Sequence, residues 1–124
     1  MEPRGQLRRA TLRGRGFLLL RGLTRGDFWL FGGYGNDSTG QVGEFNDLWK
    51  YSGGQWTWVG GANVMGQASV YGTQGTPAPG NYPGFRERGY TWTDANGNLW
   101  LFGGQGVDSA GQWGLLNELW VYEP

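Results

Sequence analysis

The sequence predicts an all-β fold made of repeated antiparallel units, and three observations support this prediction. Glycine accounts for 26 of the 124 residues, and it is accompanied by 8 Trp, 6 Tyr and 6 Phe. Glycine for turns together with aromatic residues for packing is typical of all-β architectures. A segment of the chain occurs twice, and no stretch has the 3.6-residue period of an amphipathic helix.

The repeated segment covers residues 26–51 and 97–122. The two copies align without a gap at an offset of 71 residues, and 16 of the 26 positions are identical. Self-similarity at a fixed spacing indicates a repeat architecture, in which each unit buries its apolar faces against a neighbouring unit. The chain therefore contains one complete step from one unit to the next.

Short apolar and aromatic runs bounded by glycine and turn residues predict the strands in order. The predicted strands are 17–23, 27–31, 47–51, 55–59, 88–93, 98–102 and 118–122. The run 28–31 is apolar at every position, so we expect it to be covered on both faces. The run 55–59 alternates, as is typical of an outer or edge strand.

The predicted connections alternate between tight and long. Gly53-Gly54 and the turn that ends at Gly97 predict tight hairpins, whereas residues 32–46 and 60–87 form long connections. Alternate connections of an antiparallel meander lie at the same end of the sheet. We therefore expect both long connections at one end, either as a binding surface or as spacers that cover the strand ends.

Charge divides the chain near residue 26. Residues 1–25 contain seven Arg and one Glu, whereas residues 26–124 contain three basic residues and nine carboxylates. We interpret residues 1–25 as a basic non-repeat segment and residues 26–124 as the repeat domain. The basic segment lacks interleaved aromatic residues and the acidic domain repels polyanions, so no nucleic-acid partner is expected.

Two absences limit the chemistry of the chain. It contains neither Cys nor His, which excludes disulfides, thiolate or imidazole metal sites, and Ser-His or Cys-His nucleophiles. No run approaches the roughly 18 apolar residues of a membrane span. The apolar run 17–20 is shorter than the core of a signal peptide, so it does not predict one.

The repeated segment carries a recognisable motif. In each copy an apolar strand ends in a glycine pair, where we expect a neighbouring backbone or aromatic side chain to approach closely. The motif Asn-Asp/Glu-Leu-Trp-x-Tyr follows, in residues 46–51 and again in residues 117–122. This pattern resembles the kelch repeat, and residues 26–124 are most similar to bacterial kelch-type proteins of the galactose oxidase-like propeller class. The resemblance implies antiparallel four-stranded blades around a central axis, here an incomplete propeller of about two blades. It implies structural roles for Gly32, Gly33, Trp49, Tyr51, Trp56, Gly103, Gly104, Trp120 and Tyr122.

The chain departs from the kelch pattern in three places. The turn 51–56 is shorter than the usual turn, the second copy stops after its third strand, and the segment before residue 27 does not resemble residues 88–94. One hypothesis is that residues 1–25 are an out-of-frame reading of a first strand. The chain has too few strands to close a propeller, so it is a truncated product, a piece of a larger propeller, or one of several copies that assemble a ring. The pattern favours a fragment over an assembly.

Candidate binding residues lie in the predicted long connections and in the second-copy loop that corresponds to residues 32–46. Aromatic residues beside polar groups can stack on sugars, and the candidates for glycan binding are Trp113, Tyr34, Tyr71 and Tyr82. The alternative is that these side chains only pack the loops. Asp37 and Asp108 occupy equivalent loops where oxygen ligands could meet Ca²⁺, or where each Asp caps its own turn.

These observations predict a non-catalytic interaction scaffold. The copper chemistry of galactose oxidase needs histidine and cysteine, and no pair of carboxylates stands out as an acid and base, so neither enzymatic activity nor a cofactor is expected. The expected partner is a protein, with a glycan as the alternative and a Ca²⁺-binding structural repeat as a more distant one. The resemblance favours an extracellular or periplasmic location.

Overall fold

A computed structural model describes the backbone of residues 18–21 and the whole of residues 27–124. Within these ranges the chain forms eight strands and no helix, which confirms the predicted all-β class. The strands are β1 (Leu18–Arg21), β2 (Phe28–Asn36), β3 (Val42–Ser52), β4 (Gln55–Gly60), β5 (Arg86–Glu87), β6 (Tyr90–Thr93), β7 (Leu99–Val107) and β8 (Trp113–Tyr122).

The strands form two open antiparallel sheets. Sheet 1 has the order β1-β2-β3-β4. In sheet 2, β5 and β6 pair with successive parts of β7, and β8 also pairs with β7. Sheet 2 is therefore three strands wide, and the described residues do not close either sheet into a barrel.

The repeated sequence forms a repeated structure. The eight residue pairs between β2 and β3 recur between β7 and β8 at the offset of 71, from Phe28↔Tyr51 and Leu99↔Tyr122 onwards. The register shift also recurs, directly after Phe31 in sheet 1 and after Phe102 in sheet 2. Equivalent sequence therefore gives the same strand pairing, including the same irregularity.

The glycine pairs lie opposite β-bulges, whose extra residue belongs to β3 in sheet 1 and to β8 in sheet 2. We predicted that the glycine pairs end the strands, but β2 and β7 continue beyond them to Asn36 and Val107, so that prediction was wrong. Gly32 has φ 62°, and a Cβ there would lie 2.7 Å from the carbonyl oxygen of Phe45. The predicted close approach of two backbones is therefore confirmed. A bulge accommodates one extra residue and the ladder then resumes, which lets the strands extend.

The tight turns form as predicted. Gly53 and Gly54, with φ of 56° and 80°, make the two-residue loop between the paired residues Ser52 and Gln55. Positive φ at both central positions matches the twist of the flanking strands. The second turn is closed by Asp94, whose backbone N–H donates to the carbonyl of Asn98 at 3.0 Å.

The basic segment supplies the first strand of sheet 1. Leu18–Arg21 pairs with β2, within the predicted range 17–23, and it lies beside β6 of sheet 2. The remainder of the predicted segment 1–25 lies outside the described residues.

The core lies between the two sheets. Trp29, Phe31 and Leu48 of sheet 1 meet Leu99 and Leu101 of sheet 2, and each of these side chains is at most 6% exposed. Partly buried side chains pack around this cluster; they are Val59, Tyr82 and Trp120. Among residues 27–124 each sheet therefore has one buried face, whereas the sequence predicted cover on both faces.

Candidate functional site

Three connections meet at one end of the two sheets. The β2–β3 hairpin contacts the connection that leaves sheet 1, where the N–H of Met65 donates to Asp37 Oδ2 at 3.4 Å. The β7–β8 hairpin contacts the same connection, where the N–H of Ser69 donates to the carbonyl of Asp108 at 3.3 Å. The long connections therefore share one end, as predicted. The hairpin loops are shorter than predicted because their strands are longer.

Asp37 and Asp108 cap their own hairpin turns. Asp37 Oδ1 accepts from the N–H and hydroxyl of Thr39 and from the N–H of Gln41, at 2.6–2.9 Å. The hydroxyl of Thr39 is the main cause of the lowered pKa of Asp37. Asp108 Oδ1 accepts from two backbone N–H groups of its own loop, those of Ala110 and Gln112. The Asx-turn interpretation therefore accounts for both carboxylates.

The predicted Ca²⁺ role of these two residues gains no support from their surroundings. Within residues 27–124, no group of three or more His, Cys, Asp or Glu side chains is arranged to hold a metal ion. Calcium in proteins takes six to eight oxygen ligands, which usually include several carboxylates.

A buried arginine ties the long connection to sheet 2. Arg86 is 1% exposed, and its Nε donates to the carbonyl of Gly84 at 3.2 Å. Its Nη1 donates to the carbonyl of Gly103 at 3.2 Å, and its Nη2 donates to Ser69 Oγ at 3.3 Å. The same Nη2 forms an ion pair with Glu118 Oε1 at 2.5 Å. One side chain therefore joins the connection, the glycine pair of β7 and strand β8.

Glu118 completes this network. Its carboxylate also accepts from the Tyr71 hydroxyl at 2.7 Å and from Trp120 Nε1 at 3.2 Å. Burial alone would raise the pKa of Glu118, but the hydrogen bonds from Tyr71, Arg86 and Trp120 hold that pKa below its ordinary value. The ionised form is therefore stabilised by the fold. Burial, and then the bond to Glu118, raises the pKa of Tyr71.

Sequence reasoning missed Arg86. Its only signal was its rarity, because it is one of three basic residues in 26–124 and lies two residues before the predicted strand 88–93. Its four partners are far apart in the sequence, and only the fold brings them together.

A groove of about 1280 Å³ lies between the sheets beneath the long connection. Tyr71 and Tyr82 both line it. The Tyr71 ring stacks on Trp120 with centroids 5.7 Å apart, whereas the Tyr82 ring lies 6.4 Å from Phe31 at the edge of the core. The Tyr82 hydroxyl is buried with no hydrogen-bond partner, and burial raises its pKa. Tyr82 is therefore chiefly a packing residue.

The other two predicted ligand aromatics lie in strands, so their placement in long loops was wrong. Trp113 begins β8 and its ring is 5.7 Å from that of Phe85, while Tyr34 lies in β2 opposite Glu44. Both are about half exposed, but neither lines the groove of Tyr71 and Tyr82. The four candidates therefore do not form one sugar-stacking platform.

The repeated motif residues pack against aromatic rings and carboxylates of their own sheets and of the neighbouring sheet. Trp49 Nε1 donates to Asp47 Oδ2 at 2.7 Å, which matches the bond between Trp120 and Glu118 in the second copy. Burial raises the pKa of Asp47. The Tyr51 ring lies 5.1 Å from Trp56, and Tyr122 makes an edge contact with Trp29 at 5.8 Å.

The long connection exposes a continuous loop. All ten residues from 71 to 80 are exposed. At its base, Val70 and Tyr82 form a two-way backbone bridge with N–H to O distances of 2.8 and 2.9 Å. Directly after it, the Asn81 side chain donates to the carbonyl of Thr76 at 3.0 Å. We call residues 71–80 the exposed loop.

Comparison with known proteins gives no family for this chain. No protein-family model matches it, and no curated protein matches its sequence. Among the described residues, no helix is long and apolar enough to cross a membrane.

Proposed function

We propose that this protein is a non-catalytic scaffold of kelch-type propeller blades that binds a protein partner through the exposed loop. The observation that carries the proposal is a run of ten exposed residues held on a buried, ion-paired base. Binding loops on rigid β scaffolds commonly have this organisation.

The repeated geometry supports the propeller part of the proposal. Two sheets share the same register at an offset of 71 residues and pack face to face. The inner strands β1 and β6 lie side by side, as first strands do when blades converge on an axis. Repetition of small sheets around an axis is how propellers cover their strands.

The loop composition supports a protein partner. The exposed loop reads YGTQGTPAPG, with small and polar residues and a single aromatic side chain. Pro77 and Pro79 restrict the backbone, which reduces the entropy lost on binding. The ring of Tyr71 is stacked on Trp120 and its hydroxyl is bonded to Glu118, so these contacts compete with sugar binding.

The base of the loop supports a rigid display. The backbone bridge between Val70 and Tyr82 joins the two ends of the exposed loop. The Arg86 network anchors the chain before the loop, at Ser69, and after it, at Arg86 itself. A preorganised loop binds with less ordering cost than a flexible one.

The test replaces residues 73–78 by six Gly and Ser residues. Affinity capture with quantitative mass spectrometry would compare the proteins that this variant and the wild type retain. Calorimetry would then measure the affinity of each captured protein for both forms. We expect at least one partner to lose about tenfold or more in affinity, equivalent to about 1.4 kcal/mol. The matched control replaces exposed residues 109–111 of the β7–β8 hairpin and should bind as the wild type does.

The outcome separates the alternatives. If the loop variant and the hairpin control capture the same proteins in equal amounts, the exposed loop is not the binding surface. A glycan-array signal that survives the loop replacement would instead support the carbohydrate alternative. Circular dichroism would establish that each variant retains its strands.

A further inference from the structure

Sheet 2 carries an apolar face that the described residues leave uncovered. Phe102 is 42% exposed, Leu119 56% and Tyr90 74%. Large exposed apolar patches mark interaction sites. We define the open face of sheet 2 by its central residues, which are Trp100, Phe102, Leu119 and Val121.

The same positions are buried in sheet 1. At the offset of 71, Trp29, Phe31 and Leu48 correspond to Trp100, Phe102 and Leu119, with identical residue types. In sheet 1 each of the three is only 5% exposed, because sheet 2 covers them. The open face of sheet 2 is therefore a copy of a face that this fold buries.

The covering surface is also duplicated. Sheet 2 covers sheet 1 with the other face of β7 and β8, whose central residues are Leu99, Leu101, Trp120 and Tyr122. Their equivalents form what we call the open face of sheet 1, and these are Phe28, Leu30, Trp49 and Tyr51. Three of these four equivalent pairs have the same residue type. In the remaining pair, Leu99 of sheet 2 corresponds to Phe28 of sheet 1. Phe28 is 39% exposed.

We propose that the open face of sheet 2 binds the open face of sheet 1 of a second copy of this chain. Each copy carries both halves of the interface that it already forms internally. A second copy therefore supplies the complementary surface without any other protein. The contact is head-to-tail, because different faces meet, and such contacts build rings or filaments according to the rotation between copies.

The internal interface predicts the contacts between copies. Trp29 meets Tyr122 with ring centroids 5.8 Å apart, so Trp100 of one copy meets Tyr51 of the next. The open face of sheet 2 carries Val121 where sheet 1 carries Lys50, so the interface between copies buries no charge at this position. This inference uses only the packing of the sheets, so it stands independently of the exposed loop and its partner.

The first test measures mass by size-exclusion chromatography with light scattering on the full chain. We expect the wild type to have at least twice the monomer mass of 13.7 kDa. Phe102→Asp and Tyr51→Asp should each reduce it to a monomer, since they block opposite faces. The control Val42→Asp changes an exposed apolar residue outside both faces and should leave the assembly intact.

Mixing the two blocked variants tests the head-to-tail geometry. The Phe102→Asp copy retains its open face of sheet 1, and the Tyr51→Asp copy retains its open face of sheet 2. We expect the mixture to form a 1:1 dimer. A monomeric wild type, an assembly unaffected by Phe102→Asp, or a mixture that stays monomeric would overturn the proposal.

Crosslinking provides a readout that does not depend on charged substitutions. The chain has no cysteine, so Trp100→Cys and Tyr51→Cys each introduce a single thiol. We expect a short bismaleimide crosslinker to give a covalent dimer from the mixture of the two variants and little from either alone. The control mixes Trp100→Cys with Val42→Cys. If this mixture crosslinks as much as Trp100→Cys with Tyr51→Cys, the crosslinks come from random collision and the proposal is overturned.

Discussion

Removing the buried guanidinium of Arg86 is the most informative single change in this fold. In Arg86→Met, the carbonyls of Gly84 and Gly103, the Ser69 hydroxyl and the Glu118 carboxylate all lose a donor. The methionine fills much of the space but donates nothing. Glu118 then remains as a carboxylate with only 18% of its side chain exposed and no cation beside it.

The expected cost is about 3–5 kcal/mol, because breaking a buried ion pair leaves an uncompensated charge. That is roughly a fifth or more of the 5–15 kcal/mol typical of a folded domain. With a urea dependence of about 2 kcal/mol per molar, the unfolding midpoint should fall by roughly 2 M. Tryptophan fluorescence reports the transition, since all eight tryptophans lie in residues 29–120.

Lys50→Met is the matched control. Lys50 pairs with Asp27 at 2.9 Å, but its side chain is 34% exposed, and such pairs contribute about 0–1 kcal/mol. Its ammonium also lies 5.5 Å from the ring centre of Trp29 and adds a small cation–π contribution. The reasoning would be refuted if Arg86→Met lowered the midpoint no more than Lys50→Met. The double variant Arg86→Met, Glu118→Leu should cost less than the sum of its parts, because the two residues share one network.

Three further predictions concern the bulge, the groove and the network. Gly32→Ala should destabilise the fold more than Gly40→Ala in urea titrations; both have positive φ, but only Gly32 would place a Cβ against a backbone carbonyl, and equal costs would contradict the close approach. Tyr82→Phe should be neutral or stabilising because the lost hydroxyl has no partner, whereas Tyr71→Phe should cost about 0.5–1.5 kcal/mol; the reverse order of melting temperatures would show that the Tyr82 hydroxyl is bonded. The folded pKa of Glu118 is lowered, so its contribution is complete above its ordinary pKa and disappears as pH falls through the lowered value. Glu118→Gln should therefore destabilise at pH 7, and its difference from the wild type should shrink as pH falls below the ordinary glutamate pKa; a pH-independent difference would contradict this linkage.

The repeat made much of the fold predictable. Local signals act over a few residues, so the glycine pair at 53–54 predicted its hairpin, and the duplicated segment predicted two equivalent strand pairs. The bulges were not predicted as such. A Gly-Gly pair is equally typical of a strand end, and only the carbonyl of Phe45 opposite Gly32 distinguishes the two. For that reason the strands proved longer than predicted, and Trp113 and Tyr34 lie in strands.

The sequence by itself determined the all-β class, the position of the repeat, the tight turns and the absence of thiol and imidazole chemistry. These follow from composition and short-range pattern. Only the tertiary structure decided that Arg86 joins Ser69, Gly103 and Glu118, and that Tyr71 and Tyr82 share a groove apart from Trp113. The contacts of Arg86 join residues 17 to 32 positions apart, and their energy comes from burial that exists only after the sheets pack. The same packing decided which copy of each repeated face is buried, because sheet 1 has a neighbour on that face and sheet 2 leaves it exposed.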